Sequence, residues 1–289
     1  MLHRHVLHND TIGAVSDATL SPGQVGLLSG WGVFTTMKVT EGVLFAFERH
    51  WARIARDAAA FHVALPPDSE AVRRKLLELV EANHAYDSTL RLVIVRNDGS
   101  MWAGPSNGRK SDLIALTADS KEWGEQVKLS YVPNARHAAC GFAGTKIISW
   151  AMNLTWIESA QQRGFDEVVL LNERGEVAEC TSANIFAAHG NRVWTPPLTS
   201  GCLPGITREV LLGEIAVAGI QLEEHTLMPE DLDSADEVFI TSTTRNLLPV
   251  GQIEGHALAG RRRICTLLNT AFGEFVRRYV ADRRSVPAV

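Results

Sequence analysis

The chain has 289 residues, of which 45% are hydrophobic and 21% charged, and its formal net charge at pH 7 is −5. This composition is typical of a globular protein, and the length is sufficient for two domains with sizeable hydrophobic cores. Since the charge balance is mildly acidic and no long Lys/Arg stripe appears, the sequence argues against a nucleic-acid partner held by phosphate contacts.

Hydrophobic periodicity in the first part of the chain predicts a small α/β domain over residues 1–120. Alternation of apolar and polar residues indicates strands, and apolar spacings of three and four indicate helices. Pro66 and Pro67 end the first helix because proline cannot continue it. The predicted elements, in chain order, are strands over residues 33–39 and 43–47, helices over residues 48–65 and 70–85, and strands over residues 89–95 and 112–116.

The rest of the chain predicts a second, larger domain over residues 127–289, after a polar interdomain linker at residues 121–126. Gly164 and Gly219 follow helical stretches, where glycine commonly ends a helix. The elements lack the regular βαβ rhythm of a doubly wound sheet, so we predict a mixed α/β fold with largely antiparallel pairing. The predicted elements are a strand over residues 127–132, a helix over 152–164, hairpins over 167–179 and 184–195, a helix over 206–219, a strand over 237–242 and a helix over 261–283.

The spacing of cysteine and histidine gives no sign of a metal site or a disulfide framework. The four cysteines form no C-x-x-C pair and the ten histidines no H-E-x-x-H motif, so we expect reduced thiols and no bound metal. For His3, His5 and His8 we expect a frayed, polar N-terminus. The chain begins without the zones of a signal peptide and has no apolar stretch long enough to span a bilayer, so we expect a cytoplasmic protein.

A single lysine, Lys146, lies in the otherwise apolar stretch 144-GTKIISWAMNL-154, which reads as a buried strand around it. A lysine beside apolar residues often extends its stem along the surface and keeps its ammonium group in water. The alternative is a functional amine, because desolvation favours the neutral form, which attacks a carbonyl to form a Schiff base. The sequence leaves both interpretations open.

Glu179 poses a matching question, because it precedes the small polar run 180-CTSAN-184. It is either a solvated strand end or an acid that keeps a pyridine nitrogen protonated, which makes the ring an electron sink. Residue type alone does not decide between the two.

Two further stretches have groups that suit a phosphate. In 204-PGITRE-209 the backbone N–H groups of Ile206 and Thr207 stand at a predicted helix N-terminus, whose partial positive charge favours an anion. The alternative there is an ordinary Thr-capped helix. The stretch 241-TSTT-244 follows a predicted strand and offers hydroxyls and amides, or forms a plain polar turn.

Taken together, these stretches resemble the fold-type IV enzymes that depend on pyridoxal 5′-phosphate (PLP). This class contains branched-chain aminotransferases, D-amino-acid aminotransferases and aminodeoxychorismate lyase. The resemblance implies a small N-terminal α/β domain, a larger C-terminal domain with a barrel-like mixed sheet, and a homodimer. It is carried, in order along the chain, by 32-GVFTTMKV-39, 50-HWARI-54, Lys146 with Asn153-Leu154, 179-ECTSANIF-186, 204-PGITRE-209 and 239-FITSTTRNLLPV-250.

The resemblance also implies roles for individual residues. Lys146 is implied as the Schiff-base lysine and proton shuttle, and Glu179 as the acid that faces the pyridine nitrogen. Arg53 is implied as the clamp on the phosphate, an anion that a planar guanidinium suits. The other implied positions are a phosphate cup of Ile206, Thr207, Ser242 and Thr243, and substrate contacts from Phe34, Arg91 and Thr244, with Arg91 and Arg245 either binding a carboxylate or forming structural ion pairs.

Motifs of different subclasses are mixed in this chain. The loop 97-NDGSMWAGPSNG-108 lacks the Arg-x-His carboxylate trap of D-amino-acid aminotransferases, and 34-FT-35 stands where branched-chain aminotransferases commonly carry Phe-Glu. The stretches 34-FTT-36 and 179-EC-180 look like the lyase, whereas 241-TSTT-244 looks like the transaminases. We predict a PLP-dependent transaminase that exchanges an amino group between an amino acid or primary amine and a 2-keto acid. The alternatives are aminodeoxychorismate lyase and a PLP-binding protein without turnover.

Overall fold

The computed structural model describes residues 1–20, 24–99 and 108–284. By its internal contacts the chain divides into two compact units. The first unit comprises Met1–Lys121, Lys146–Trp150 and the chain from Arg278 onward, and the second comprises Glu122–Thr145 and Ala151–Arg277. The domain boundaries expected from the sequence, with a linker at residues 121–126, stay a prediction.

The first unit is built on a six-stranded sheet in which every described pair of strands is antiparallel. The strand order is β2-β1-β6-β5-β3-β4. The elements of this unit are β1 Leu2–His8, β2 Thr11–Ala14, α1 Val25–Ser29, β3 Gly32–Thr40, β4 Val43–Leu44, α2 Phe47–Ala60, α3 Ser69–Ala82, β5 Ser88–Arg96 and β6 Ser111–Asp119.

The expectation of a frayed N-terminus is wrong, because β1 pairs with both β2 and β6. The ring of His3 binds the hydroxyl of Thr117 at 2.9 Å, and the backbone N–H of His5 donates to Asn83 Oδ1 at 2.8 Å. The histidines of β1 therefore anchor a sheet strand. The part of the chain that is described contains no group of three or more His, Cys, Asp or Glu side chains arranged for a metal ion.

Helices α2 and α3 bury their apolar faces in the core of the first unit. Ile54 of α2 and Leu76 of α3 are almost fully buried in one cluster with the sheet residues Met37 and Leu90. The helix expected over residues 48–65 ends at Ala60, and the strand expected over 43–47 ends at Leu44. The strand is short because Ala46, the residue just before α2, adopts a left-handed backbone conformation with φ 53°.

The second unit contains a nine-stranded mixed sheet, in the order β12-β11-β10-β13-β14-β7-β8-β9 with β15 beside β14. Pairs β7–β8, β7–β14 and β11–β12 are parallel, and the other described pairs are antiparallel. The elements are β7 Val127–Arg136, α4 Ala151–Gln162, β8 Glu167–Asn172, β9 Val177–Cys180, β10 Asn184–His189, β11 Arg192–Thr195, α5 Ile206–Glu214, β12 Gln221–Glu224, α6 Pro229–Asp233, β13 Glu237–Ser242, β14 Asn246–Ile253, β15 His256–Ala257 and α7 Arg263–Arg284, which begins in this unit and from Arg278 onward belongs to the first.

The centre of this sheet is buried and apolar. Phe186 on β10 and Phe239 on β13 are register partners, and their rings stack with centroids 5.2 Å apart. The helix expected over residues 206–219 ends at Glu214, since Gly213 and the β-branched Ile215 both weaken helical continuation. None of the helices in the described ranges combines the length and the apolar character required to cross a membrane.

Candidate active site

The lysine segment of the first unit lies along β3. The N–H of Phe34 donates to the carbonyl of Lys146 at 3.0 Å, and the N–H of Ile148 donates to the carbonyl of Gly32 at 3.1 Å. Glycine suits position 32 on both sides: a Cβ there would lie 2.6 Å from the carbonyl oxygen of Ile94 on β5 and 3.0 Å from Cδ1 of Ile148 in the lysine segment. The buried strand read from the sequence is therefore a single bridge of this segment to β3.

Two aromatic rings lie near the amine of Lys146. Its Nζ lies 4.5 Å from the centroid of the Phe34 ring and 5.9 Å from that of Trp150, and the two rings meet edge to face. The guanidinium of Arg91 lies 4.8 Å from the same Phe34 centroid. Phe34 thus brings together two of the cationic groups that the sequence singled out.

One face of α2 has three buried polar side chains, one of which contacts the backbone of Lys146. His50, Arg53 and Asp57 are spaced by three and four residues and are all buried, so they share a side of the helix. A carboxylate oxygen of Asp57 accepts the backbone N–H of Lys146 at 3.0 Å. The hydroxyl of Thr35 on β3 contacts both His50 Nδ1, at 2.7 Å, and Arg53 Nη2, at 2.9 Å.

The imidazole of His50 is neutral at physiological pH. Burial lowers the pKa of His50 well below its ordinary value, and the positive charges of Arg53 and Lys146 lower it further. Its Nε2 is buried and has no hydrogen-bond partner among the described residues.

In the second unit, Glu179 is buried rather than solvated. One carboxylate oxygen accepts from Arg136 Nε at 2.9 Å, and the other accepts from the backbone N–H of Leu203 at 3.0 Å. Arg136 stands at the end of β7 and also lies over the ring of Trp156. The carboxylate is therefore fixed from two sides in an ionic and hydrogen-bonded setting.

Helix α5 begins as an anion site would. Its N-cap is Gly205, and no side chain of the described residues caps it, so the Thr-capped alternative is wrong. Ile206 and Thr207 open the helix and are 3% and 4% exposed. A Cβ at Gly205 would lie 2.0 Å from Asn184 Oδ1, so the glycine allows this helix end to approach β10 closely.

The stretch 241–244 forms the end of β13 and the turn to β14. Ser242 Oγ lies 3.4 Å from the hydroxyl of Thr244 and accepts the backbone N–H of Arg245 at 3.3 Å. Thr243 is half-buried in the same turn. The hydroxyl of Thr241 is buried without a partner in the described part of the chain.

Arg245 forms a structural ion pair. Its Nη2 donates to Glu167 at 3.1 Å, its guanidinium covers the ring of Trp123, and its side chain is only 6% exposed. The hydroxyls of Thr181 and Ser182 donate to the same carboxylate. Of the two interpretations left open for Arg245, the structure therefore favours the ion pair over a substrate carboxylate.

Sequence reasoning missed the residues that hold the candidate groups in place. Asp57, Arg136 and Glu167 each contact a candidate residue or its loop. Only Asp57 carried a signal, its helical spacing from Arg53. The loop over residues 97–108, which lacks the Arg-x-His trap, lies largely outside the described residues.

Comparison with known proteins identifies the family to which these motifs belong. Residues 32–253 match the model of class IV amino-transferases. A putative branched-chain-amino-acid aminotransferase of Methanocaldococcus jannaschii is 29% identical over 85% of this chain and 86% of its own length. A D-alanine aminotransferase of Bacillus licheniformis is 29% identical over 88% of this chain and 89% of its own.

A solved structure extends the likeness to the fold. The branched-chain aminotransferase of the thermophilic archaeon Thermoproteus uzoniensis, solved with norvaline, superimposes with a TM-score of 0.86 at 23% identity, covering 96% of this chain and 98% of that one. At this identity the likeness concerns the fold alone. The predicted family resemblance and the predicted fold class, a mixed α/β fold of type IV with a curled, barrel-like sheet, are both confirmed.

Proposed function

The chain belongs to the class IV aminotransferases, which are PLP enzymes, and from this premise we propose that it binds PLP and uses Lys146 for amino-group transfer. The donor is an amino acid or primary amine and the acceptor is a 2-keto acid. The observation that carries the proposal is the setting of Lys146, whose backbone is tied to Asp57 and Phe34 while its amine faces two aromatic rings.

The residues present fit the cofactor chemically. A PLP phosphate needs several donors, and the uncapped start of α5 has backbone N–H groups with no side-chain acceptor in the described chain. Gly205 has no Cβ that would crowd this helix end. The hydroxyl of Thr241 is buried and has no hydrogen-bond partner within the described ranges. When bound, PLP supplies an aldehyde that condenses with amines and a ring that accepts the electrons of the Cα–H bond.

Lys146 and Glu179 have distinct tasks in this proposal. Lys146 would hold the cofactor through its Nζ, and the same amine would serve as the base that carries a proton to and from the substrate Cα. Glu179 would be the acid that faces the pyridine nitrogen of the bound cofactor. The two hydrogen bonds from Arg136 and Leu203 support this role, because they fix the carboxylate without involving the cofactor.

The remaining groups bind phosphate and substrate. Because an arginine offers planar, paired donors, Arg53 suits a phosphate, and we assign it this anion. The substrate contacts are Phe34, Arg91 and Thr244; for Arg91, support comes from its place at the Phe34 ring, beside the lysine amine. We also assign to the phosphate the cup of Ile206, Thr207, Ser242 and Thr243 that the family resemblance implies.

We extend the proposal to a cytoplasmic homodimer. Helix α4 exposes 65% of Met152 and 54% of Leu154, and helix α1 exposes 60% of Leu27 and 53% of Leu28. Groups of large exposed apolar side chains, here one group on each helix, are typical of interaction surfaces. Sedimentation velocity of the purified chain checks the dimer, and a monomer at micromolar concentration contradicts it.

Borohydride trapping tests the lysine assignment. The PLP-loaded protein is reduced and digested, and the expected pyridoxyl adduct is on the peptide that contains Lys146. Lys146→Ala should lose the adduct, whereas the control Lys38→Ala, which alters a half-buried lysine on β3, should keep it. An adduct that is absent from Lys146 in the unaltered protein contradicts the proposal.

Substrate assays separate transfer from the alternatives. We expect the yellow colour of the loaded protein to be bleached by an amino donor and restored by pyruvate or 2-oxoglutarate. A panel of both enantiomers of alanine, leucine, glutamate and 1-phenylethylamine identifies the donor. Release of p-aminobenzoate from aminodeoxychorismate without any keto acid would instead establish the lyase, and a spectrum that no amine changes would establish a binding protein.

A further inference from the structure

A hydrogen-bonded chain of three buried side chains includes the guanidinium of Arg53. Thr35 on β3 is fully buried, His50 is 1% exposed and Arg53 is 8% exposed. The hydroxyl of Thr35 stands between the other two, 2.7 Å from His50 Nδ1 and 2.9 Å from Arg53 Nη2. These two side chains are its only hydrogen-bond partners among the described residues.

The direction of each hydrogen bond in this chain is inferred from what each group can donate or accept. A guanidinium only donates, so Thr35 Oγ1 accepts from Arg53 Nη2. The hydroxyl proton then has one acceptor left, which is His50 Nδ1, and this requires the neutral tautomer protonated at Nε2. Neutrality agrees with the lowered pKa of His50, which follows from burial and from the nearby positive charges. The hydroxyl of Thr35 therefore has one fixed orientation.

We propose that Thr35 and His50 are positioning residues that hold the guanidinium of Arg53 in the plane required to bind the PLP phosphate. The inference rests on the proposed function. Paired donation to an anion requires a fixed guanidinium plane, and an arginine side chain loses rotamer freedom when it is held. The hydroxyl fixes Nη2 without adding a negative charge of its own beside the phosphate site.

The test compares two ligands that differ only in the phosphate. Dissociation constants of the full-length protein are measured for PLP and for pyridoxal, by quenching of tryptophan fluorescence. Thr35→Val removes the hydroxyl at nearly constant size, and Thr35→Ser restores it. We expect Thr35→Val to raise the Kd for PLP by about tenfold or more, corresponding to about 1.4 kcal/mol, and to leave the Kd for pyridoxal within about twofold.

A matched control comes from the same sheet. Thr117 on β6 is also fully buried, and its hydroxyl also contacts a histidine and one amide donor, His3 and Asn83, both at 2.9 Å. Thr117→Val therefore removes an equivalent buried hydroxyl away from Arg53. It should lower the melting temperature much as Thr35→Val does, but it should leave the ratio of the two dissociation constants unchanged.

Three results would contradict the inference. Equal changes for PLP and pyridoxal in Thr35→Val, no change for PLP, or a similar ratio change in Thr117→Val would overturn the inference. If Thr35→Val does not fold, His50→Leu removes the acceptor from the other end of the chain, and an unchanged ratio there overturns the inference equally.

Failure of this inference is distinguishable from failure of the proposed function. If the unaltered protein binds PLP and borohydride labels Lys146, the function stands whatever the threonine variants do. If the unaltered protein does not bind PLP, both proposals are wrong.

Discussion

The buried ion pair between Arg245 and Glu167 should be strongly coupled, and replacing its two members singly and together measures the coupling. Their side chains are 6% and 1% exposed, and Nη2 lies 3.1 Å from Oε2. Removing one member of such a pair typically costs about 3–5 kcal/mol, because the other charge is left buried without its partner. A hydrophobic replacement of both members avoids that penalty.

The two single substitutions should differ in cost. In Arg245→Met the carboxylate of Glu167 keeps three donors, the hydroxyls of Thr181 and Ser182 and the N–H of Val168. In Glu167→Met the guanidinium keeps neutral carbonyl and hydroxyl acceptors and the ring of Trp123. We therefore expect losses of about 4 kcal/mol for Glu167→Met and about 2 kcal/mol for Arg245→Met.

Urea denaturation of the two single variants and the double variant measures these values. The double variant should lose about 2–3 kcal/mol less than the sum of the single losses. Arg73→Met is the control: it breaks an ion pair of 2.6 Å on the exposed face of α3 and should cost less than about 0.5 kcal/mol. If the single losses add within about 0.5 kcal/mol in the double variant, the pair is not coupled and the reasoning is refuted.

Three further predictions concern the groups around the proposed cofactor site. Asp57→Ala removes the acceptor of the Lys146 N–H and should lower the free energy of unfolding by about 2 kcal/mol, and Asp57→Asn by less than half as much; equal losses in urea denaturation would contradict this. Because His50 is held neutral with a lowered pKa, the unfolded chain takes up a proton below pH 6.5 that the folded chain refuses, so stability should fall by about 1.4 kcal/mol per pH unit there. His50→Leu should remove that dependence in pH-resolved denaturation, and an unchanged slope would exclude His50 as its source. Gly205→Ala should raise the Kd for PLP about tenfold, because its Cβ would lie 2.0 Å from a side-chain oxygen of β10; Gly213→Ala, with nothing within 4 Å, should not.

Elements with a complete local signal were predictable from the sequence. Strand β13 has the bounds expected for it, residues 237–242, because it is a short apolar run between polar stretches. Helix α3 begins at Ser69, after Asp68, whose carboxylate caps its first N–H groups. Strand β1 was missed because its histidines obscure the alternation and its partner β6 lies more than a hundred residues away in the chain.

The same distinction applies to the candidate site. Lys146, Glu179 and Arg53 were identified because their residue types and flanking motifs indicate a chemistry. The residues that fix the first two are remote in sequence: Asp57 lies 89 positions from Lys146, and Arg136 lies 43 positions from Glu179. A single sequence does not link such pairs, because the two side chains become neighbours only when the chain folds. A buried charge is then stabilised by whichever partner lies within hydrogen-bond distance.

Arg53 and Lys146 are not positioned independently, because one helix holds both. The α2 side chains that reach Thr35 and the Lys146 backbone are four residues apart on one face, and a shift of α2 by one residue would rotate that face by about 100°. Both hydrogen bonds would then break together. What prevents the shift is apolar packing, since Ile54 and Ala58 lie in the core of the first unit. It follows that a substitution which loosens this packing, such as Ile54→Ala, should weaken both attachments at once without touching either one.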